Sequence, residues 1–332
     1  MATYKGIQGY SVQKLSSDPT ASEAEGQLWY NSGTGKFKIA VAGAGAWESG
    51  GSLNTARSEP AGIGTKAAAL AAGGNITPSL ASESETYDGT SWTEGNDINS
   101  ARRNARGSGT TTAGMIVGGW GTPAGISATE YYDGTSWTTQ TGTLTRGGGY
   151  QENGIAGASQ TSAIFFGGVP GTTYYKYSET WDGTSWSEGN NLNTGRVAPG
   201  GSGIVTAALC ISGNDPGITN VESYDGTSWA ETATDVNTGR GGAGSSGTST
   251  ACTLYGGYTP PNSALTESFD GSTWTEVGDL ATARQAVGGT LSPTSSNTSA
   301  FAIGGSTGPP TRLAICEEYS DPVYAVKTVT VS

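Results

Sequence analysis

The hexapeptide Tyr-Asp-Gly-Thr-Ser-Trp recurs along this chain at 87–92, 132–137 and 224–229. It returns as Trp-Asp-Gly-Thr-Ser-Trp at 181–186 and as Phe-Asp-Gly-Ser-Thr-Trp at 269–274. Successive Trp residues lie 45, 49, 43 and 45 positions apart, and Trp47 stands another 45 before Trp92. A period of that length marks one supersecondary unit copied many times, because a single copy cannot bury its own apolar face and must lean on the next. Positions that repeat therefore report on architecture. Positions that escape the repeat report on function.

Composition fixes the kind of unit. The chain has 55 Gly among 332 residues, only 13% charged residues, and no apolar run spaced for a helix. This reads as many short strands joined by tight turns, an all-β fold. Only 34% of the residues are hydrophobic, so burial falls to close backbone packing and to the nine Trp and fifteen Tyr. A net charge of −12 argues against binding a phosphate backbone, which needs clustered Lys and Arg. No apolar run approaches 18 residues and no secretion signal opens the chain at Met1, so nucleic acid and membrane insertion are not expected, and synthesis in a cytoplasm is. Cys210, Cys252 and Cys316 sit in strand-like stretches without a paired spacing and read as small buried apolar side chains.

Three further landmarks align with the Trp. A Gly-Gly doublet ends an apolar run at 73–74, 118–119, 167–168, 256–257 and 304–305, with Ser212-Gly213 in the remaining unit. Glu85, Glu130, Glu179, Glu222, Glu267 and Glu317 each stand two residues before the repeating aromatic. Arg57, Arg102, Arg146, Arg196, Arg240 and Arg284 each follow a Trp by nine to eleven residues. Glu and Arg demanded in every copy read as internal pairs that fix adjacent strands rather than as a charged binding ring. Each unit is then four strands: a Gly-rich strand after the Arg, the apolar strand ending at the doublet, the Glu-x-Tyr strand and the Trp strand. Asp-Gly-Thr-Ser links the last two as a hairpin turn.

A Gly-Gly doublet, then Glu-x-Tyr-Asp, then Trp, then Arg resembles the kelch motif, over roughly residues 48 to 324. The resemblance implies a six-bladed kelch-like β-propeller of four-stranded blades. In its last blade, Tyr319 to Tyr324 keeps the spacing with Tyr in place of Trp. Residues 1–46 fall outside the repeat, and Gly26 to Ile39 reads as two strands around a Gly-rich turn, an N-terminal β-hairpin extension ahead of a propeller over 47–332. Four of seven Lys lie in it, which suggests a docking segment using Trp29, Tyr30, Lys36 and Lys38. The alternative is that Trp29 to Trp47 supplies ring-closing strands or a seventh blade. This opening, the Asn-Thr-Ala-Arg and Asn-Thr-Gly-Arg links at 54–57, 193–196 and 237–240, and the closing Lys327 to Val331 look like kelch-type virion proteins of tailed phages of marine bacteria.

Kelch propellers include copper oxidases whose metal needs imidazole, and the chain has no His, so neither a metal nor another cofactor is expected. A sialidase-type turn would need one more residue between Asp88 and Trp92. Carboxylates for glycoside cleavage should be singular and paired. Almost every acid here belongs to a repeat or a turn; Asp97, Asp215, Asp235 and Asp279 are the exceptions, and Asp97, Asp235 and Asp279 lie in loops after Trp. The expectation is that the chain is not an enzyme.

Recognition is expected on the face formed by the loops after the doublets, because these differ in every unit while the Asp-Gly-Thr-Ser turns do not. Their aromatics, Trp120, Tyr174, Tyr175, Tyr177 and Tyr258, are the candidate binding residues. The reading of the whole is a phage virion protein of tail-fibre type, located in the virion after assembly in the host cytoplasm. Its expected partners are other tail or capsid proteins, a host surface glycan or receptor, and further copies of itself. A purely structural decoration protein and a polysaccharide-degrading enzyme are the rival readings.

Overall fold

A computed structural model describes residues 12–20, 24, 26–146, 152–169, 173–214, 217–291, 296–321 and 323–329. Every regular element among them is a strand, and the chain forms two compact units, one of residues 47–320 and one of 1–46 with 321–332.

Among the described residues, the repeats give six small sheets in the larger unit, the first five antiparallel throughout. Sheet I contains Ala61–Thr65, Ala68–Ala72, Ser84–Tyr87 and Trp92–Glu94. Sheet II contains Arg106–Thr110, Ala113–Val117, Ala128–Tyr132 and Trp137–Thr143; sheet III contains Gly154–Ser159, Ser162–Phe166, Ser178–Trp181 and Trp186–Glu188. Sheet IV contains Gly200–Ile204, Ala207–Ile211, Val221–Tyr224 and Trp229–Glu231; sheet V contains Gly244–Gly247, Cys252–Tyr255, Thr266–Phe269 and Trp274–Glu276. In each, strand order follows chain order, as short hairpin links dictate. The sixth sheet is assembled from both ends of the unit: Ser299–Ile303 pairs with Cys316–Ser320, and Ala46–Ser49 completes it as the third strand.

That third strand corrects one expectation. Trp47, not Tyr324, is the sixth repeating aromatic: its indole N–H donates to Thr266 Oγ1 at 2.9 Å and its ring lies 4.9 Å from Tyr255 and 5.3 Å from Tyr319. Tyr324 instead pairs with Ala42 in the smaller unit, so the repeat ends at Ser320 rather than at the last residue. Tyr324 matched the motif only in spacing; the residue at the right place in space came from 272 positions upstream in the chain, the separation of Trp47 and Tyr319.

The core is divided into six wedges, each between two neighbouring sheets. Ile63 and Leu70 of sheet I meet Ile116 and Trp137 of sheet II; Ile164 and Phe166 of III meet Cys210 and Trp229 of IV; Ala69 and Trp92 of I meet Phe301 and Ile303 of VI. The first strands of sheets I to V touch in succession, and Ser299–Ile303 touches both Gly244–Gly247 and Ala61–Thr65. Glycine makes this approach feasible: a Cβ on Gly201 would stand 2.0 Å from the Ile155 carbonyl oxygen, and one on Gly62 would stand 2.3 Å from that of Gly289. The axis between these strands retains a cavity of only about 30 Å³, room for about one water.

In the smaller unit, Leu28–Asn31 and Lys36–Gly43 form the expected hairpin, flanked by Gln13–Leu15 in parallel and Val323–Thr328 in antiparallel pairing. Trp29, expected at a docking surface, is instead the centre of this unit's core, 2% exposed, with its indole N–H on Asp18 Oδ1 at 3.0 Å. Lys38 is drawn in as well, 3.8 Å from the same carboxylate. Lys36 and Phe37 remain exposed, and Tyr30 packs edge-on against Phe37.

Candidate functional site

Two series of residues run from sheet to sheet, two positions apart in sequence, and they behave differently. The first is the repeated Arg. Arg57, Arg196 and Arg240 are wholly buried and pair with Glu85, Glu222 and Glu267 at 2.6, 2.8 and 2.6 Å; Arg102 with Glu130 and Arg284 with Glu317 do the same. The Glu carries a second load that its recurrence alone did not reveal. Its other oxygen accepts from Asn three residues before the Arg: Asn54, Asn99, Asn193 and Asn237 each donate both backbone and side-chain N–H to it, and the side-chain amide also reaches a Trp carbonyl. Such a buried ion pair, with both carboxylate oxygens engaged in four of the repeats, is what a low-dielectric wedge can tolerate, although the Nε of Arg196, Arg240 and Arg284 and one Nη of Arg284 lack a hydrogen-bond partner among the described residues.

The third repeat departs from the expected Arg146–Glu179 pairing. Arg146 turns outward, pairs with the exposed Glu188 and lies 3.6 Å over the Tyr177 ring. Glu179 takes the backbone N–H of Thr145 and Arg146 instead. Asn153 donates to the Gly167 carbonyl at 2.7 Å, the role that Arg57 fills at Gly73. The reason is length: five residues separate Arg146 from Glu152, whereas one separates each other Arg from its equivalent.

The second series begins there. Glu59, Asn104, Glu152, Ala198, Gly242 and Ala286 all have left-handed backbone, with φ of 61, 57, 57, 51, 65 and 56°. A hydrogen-bond chain links them: Asn104 N–H donates to the Glu59 carbonyl, Glu59 to Ala286, Ala286 to Gly242 and Gly242 to Ala198 at 2.9–3.0 Å, and Ala198 to Glu152 at 2.5 Å. A left-handed conformation costs a non-glycine residue about 1–2 kcal/mol, so five such residues persist only because the surroundings hold them.

All six line one cavity of about 300 Å³ at the mouth of the axis. The loops after the doublets close over it with Asn214, Tyr258, Ser306, Pro309 and Arg312. Its wall is lopsided. Sheets I to III supply Glu59, Asn104, Glu152, Arg103 and Arg106; the opposite side offers Ala198, Gly242 and Ala286, whose small side chains leave the space. Arg103 pairs with Glu59 at 3.2 Å. Arg106 donates its Nε–H to the Asn153 carbonyl, and burial pulls its pKa below the ordinary arginine value. Burial, reinforced by the neighbouring Glu59, pushes the Glu152 carboxyl above the usual carboxylate range against the pull of Arg106 and Arg103. Asn104 is 6% exposed, yet its side-chain N–H group has no hydrogen-bond partner. An orphaned buried amide costs about 1–3 kcal/mol, which a ligand acceptor would relieve.

The aromatics chosen from sequence do not gather. Tyr258 lines the axial cavity. Trp120 is half-buried and bridged to Gly125 within its own loop and to Arg103 before the first strand of sheet II. Tyr175 packs on the core between sheets II and III and against Tyr177, 4.8 Å away, leaving Tyr174 the exposed member at 39%. Sequence reasoning missed Glu59, Arg103, Asn104, Arg106, Glu152 and Arg312. Variation two residues after an otherwise repeated Arg is the signal that finds Glu59 and Asn104; in the third repeat the longer connection hides Glu152 from it, and it does not reach the three arginines.

No family model and no curated protein matches the chain in sequence. Among solved structures it is similar to that of YjhT, with a TM-score of 0.68 at 14% identity, over 83% of this chain and 99% of that one. At that identity the likeness speaks for the β-propeller-like fold. It also overturns the expectation that the chain is not an enzyme, since a fold shared across the whole of another protein excludes no chemistry. The lack of His removes imidazole alone, and Glu59 and Glu152 are the singular, neighbouring carboxylates that the sequence reading did not find.

Proposed function

We propose that this chain is a six-bladed kelch-like propeller of a tailed-phage virion that binds a host surface carbohydrate in its axial cavity. Six wedges, six sheets and the contact of the last sheet with the first support the blade number. One observation carries the ligand class: the Asn104 amide, buried and unpaired, stands in a wall that also offers two carboxylates and three guanidinium groups. Sugar hydroxyls both donate and accept, so a mixed wall of this kind suits them better than it suits a purely anionic or apolar ligand. A cavity of about 300 Å³ is at the small end of ligand sites and fits one or two sugar rings.

The smaller unit, with Lys36, Phe37 and Tyr30 at its surface, is assigned to docking on neighbouring virion proteins. Calorimetric titration of the full chain with purified host surface polysaccharide tests the reading. Wild type and Tyr174→Ala should bind and Asn104→Leu should not; no heat from wild type, or loss through Tyr174 with Asn104→Leu intact, would sink it.

A further inference from the structure

Three other features of the molecule lead nowhere comparable: the turn carboxylates are a repeated solvent-facing series, the cysteines are buried and inert, and the exposed Phe37 surface has nothing on it that names an occupant. The axial cavity goes further than binding. We infer that it cleaves a glycosidic bond, with Glu152 giving its proton to the leaving oxygen and Glu59 taking a proton from the attacking water. This rests on the carbohydrate reading above.

The two carboxyls share a cavity but not an environment. Glu59 lies 3.2 Å from the Arg103 guanidinium, an ion pair on the cavity wall that fixes where its carboxylate sits. Glu152 is half-buried and lines the same cavity as Glu59, Arg103, Arg106 and Arg312. Burial and the like charge of Glu59 raise its hold on a proton against the pull of the Arg106 and Arg103 guanidinium groups, the direction that an acid requires. Both side chains spring from strained left-handed backbone, φ 61 and 57°, tied into the same hydrogen-bond chain around the axis. Strain held at two carboxylates of one cavity fits a pair fixed in position for chemistry.

The step balances. The bond from the anomeric carbon to the bridging oxygen breaks, and that oxygen leaves as an alcohol carrying the Glu152 proton. Water oxygen bonds to the anomeric carbon, and its surplus proton passes to Glu59. Exchange with solvent then returns Glu59 to carboxylate and Glu152 to acid, so water is the one co-reactant. Asn104, through its unpaired amide, would hold a ring hydroxyl, and the space beside Ala198, Gly242 and Ala286 would receive the ring.

The test uses the full chain and a panel of 4-methylumbelliferyl glycosides covering neutral hexosides, N-acetylhexosaminides and uronides. Fluorescence reads cleavage, and saturation-transfer NMR reads binding of the same compounds. Wild type should release fluorophore from at least one member that binds. Glu152→Gln and Glu59→Gln should each reduce release by about 100-fold or more while binding persists, and circular dichroism should show both folded. Should Glu152→Gln fail to fold, Glu152→Asp serves, with release retained and its basic pH limb shifted. Binding without release from wild type overturns the cleavage inference and leaves the binding reading standing. No binding by any member overturns both. Release that survives both Gln substitutions overturns the assignment of these two residues.

Discussion

Arg57 and Glu59 are two residues apart, each belongs to a series with one member per repeat, and the two series follow opposite rules. The Arg position is filled identically in all six repeats, and in five of them its guanidinium is buried against a Glu. The position two residues on, or six in the third repeat, is Glu, Asn, Glu, Ala, Gly and Ala, although all six share one backbone conformation. Where the side chain faces a wedge between sheets, every copy meets the same problem and keeps the same answer. Where it faces the axis, all copies meet in a single cavity, and identical answers would make a symmetric plug. Variation at a fixed backbone geometry is therefore where a repeat protein can build an asymmetric site.

The comparison breaks most visibly at the Arg series. Arg196→Ala leaves Glu222 buried without its partner, and removing one member of such a pair costs about 3–5 kcal/mol. Arg146→Ala, at a half-exposed pair on Glu188, should cost about 1 kcal/mol or less. Urea unfolding of both variants reads the difference; equal losses would mean that the third repeat obeys the same rule after all. Asn153→Ala comes next, because it strips the Gly167 carbonyl of its buried donor, at about 1–3 kcal/mol. If its midpoint matches wild type, Asn153 is not the replacement for the turned-out Arg.

At the axial series the sign reverses. Ala286→Gly relieves a φ of 56° and should stabilise the protein by up to about 1 kcal/mol without touching a charged group. Glu59→Gly relieves the same strain but removes the partner of Arg103, so its thermal midpoint should change little while ligand binding in the axial cavity is lost. A stabilised Ala286→Gly together with a binding-competent Glu59→Gly would mean that the strain serves no ligand.

What the sequence disclosed follows the same division. The Trp, Gly-Gly, Glu and Arg positions were legible because repetition writes each of them five or six times, and the four strands per unit fall where those landmarks place them. Tyr324 was misread as the sixth repeating aromatic because that sheet is completed by Trp47 from the far end of the unit, a long-range pairing that the ring-closing alternative allowed but no local pattern records. Trp29 was assigned to a surface although Asp18, eleven residues earlier, waits to receive its indole N–H. The axial residues were invisible for a different reason. Their signature is a left-handed φ, which Gly242 advertises but Glu59, Asn104 and Glu152 do not, and Arg106 reaches the cavity from the first position of a strand whose other residues are small or polar. The aromatic loops drew attention because exposed rings are a frequent means of binding, whereas here all but Tyr174 are at least half-buried.

The smallest effect separates the two kinds of carboxylate by pH. In the repeated turns, Asp88, Asp133, Asp182 and Asp225 each accept backbone N–H groups two and three residues ahead, as Asp270 does, and all five carboxyls sit below the ordinary range because those donors favour the charged form. They contribute stability above the unfolded carboxylate pKa and lose it as pH falls toward their own. Glu152 is shifted the other way by burial, so its contribution is complete below the unfolded value and is lost as pH rises through its own titration. Glu152→Gln, neutral throughout, removes that second dependence alone. Thermal midpoints measured from pH 3 to 8 should therefore rise alike in wild type and Glu152→Gln as the turn carboxylates ionise, after which wild type should fall relative to the variant. Parallel curves across the whole range would show that Glu152 titrates like any exposed glutamate, and the axial cavity would then lack the protonated acid that cleavage requires.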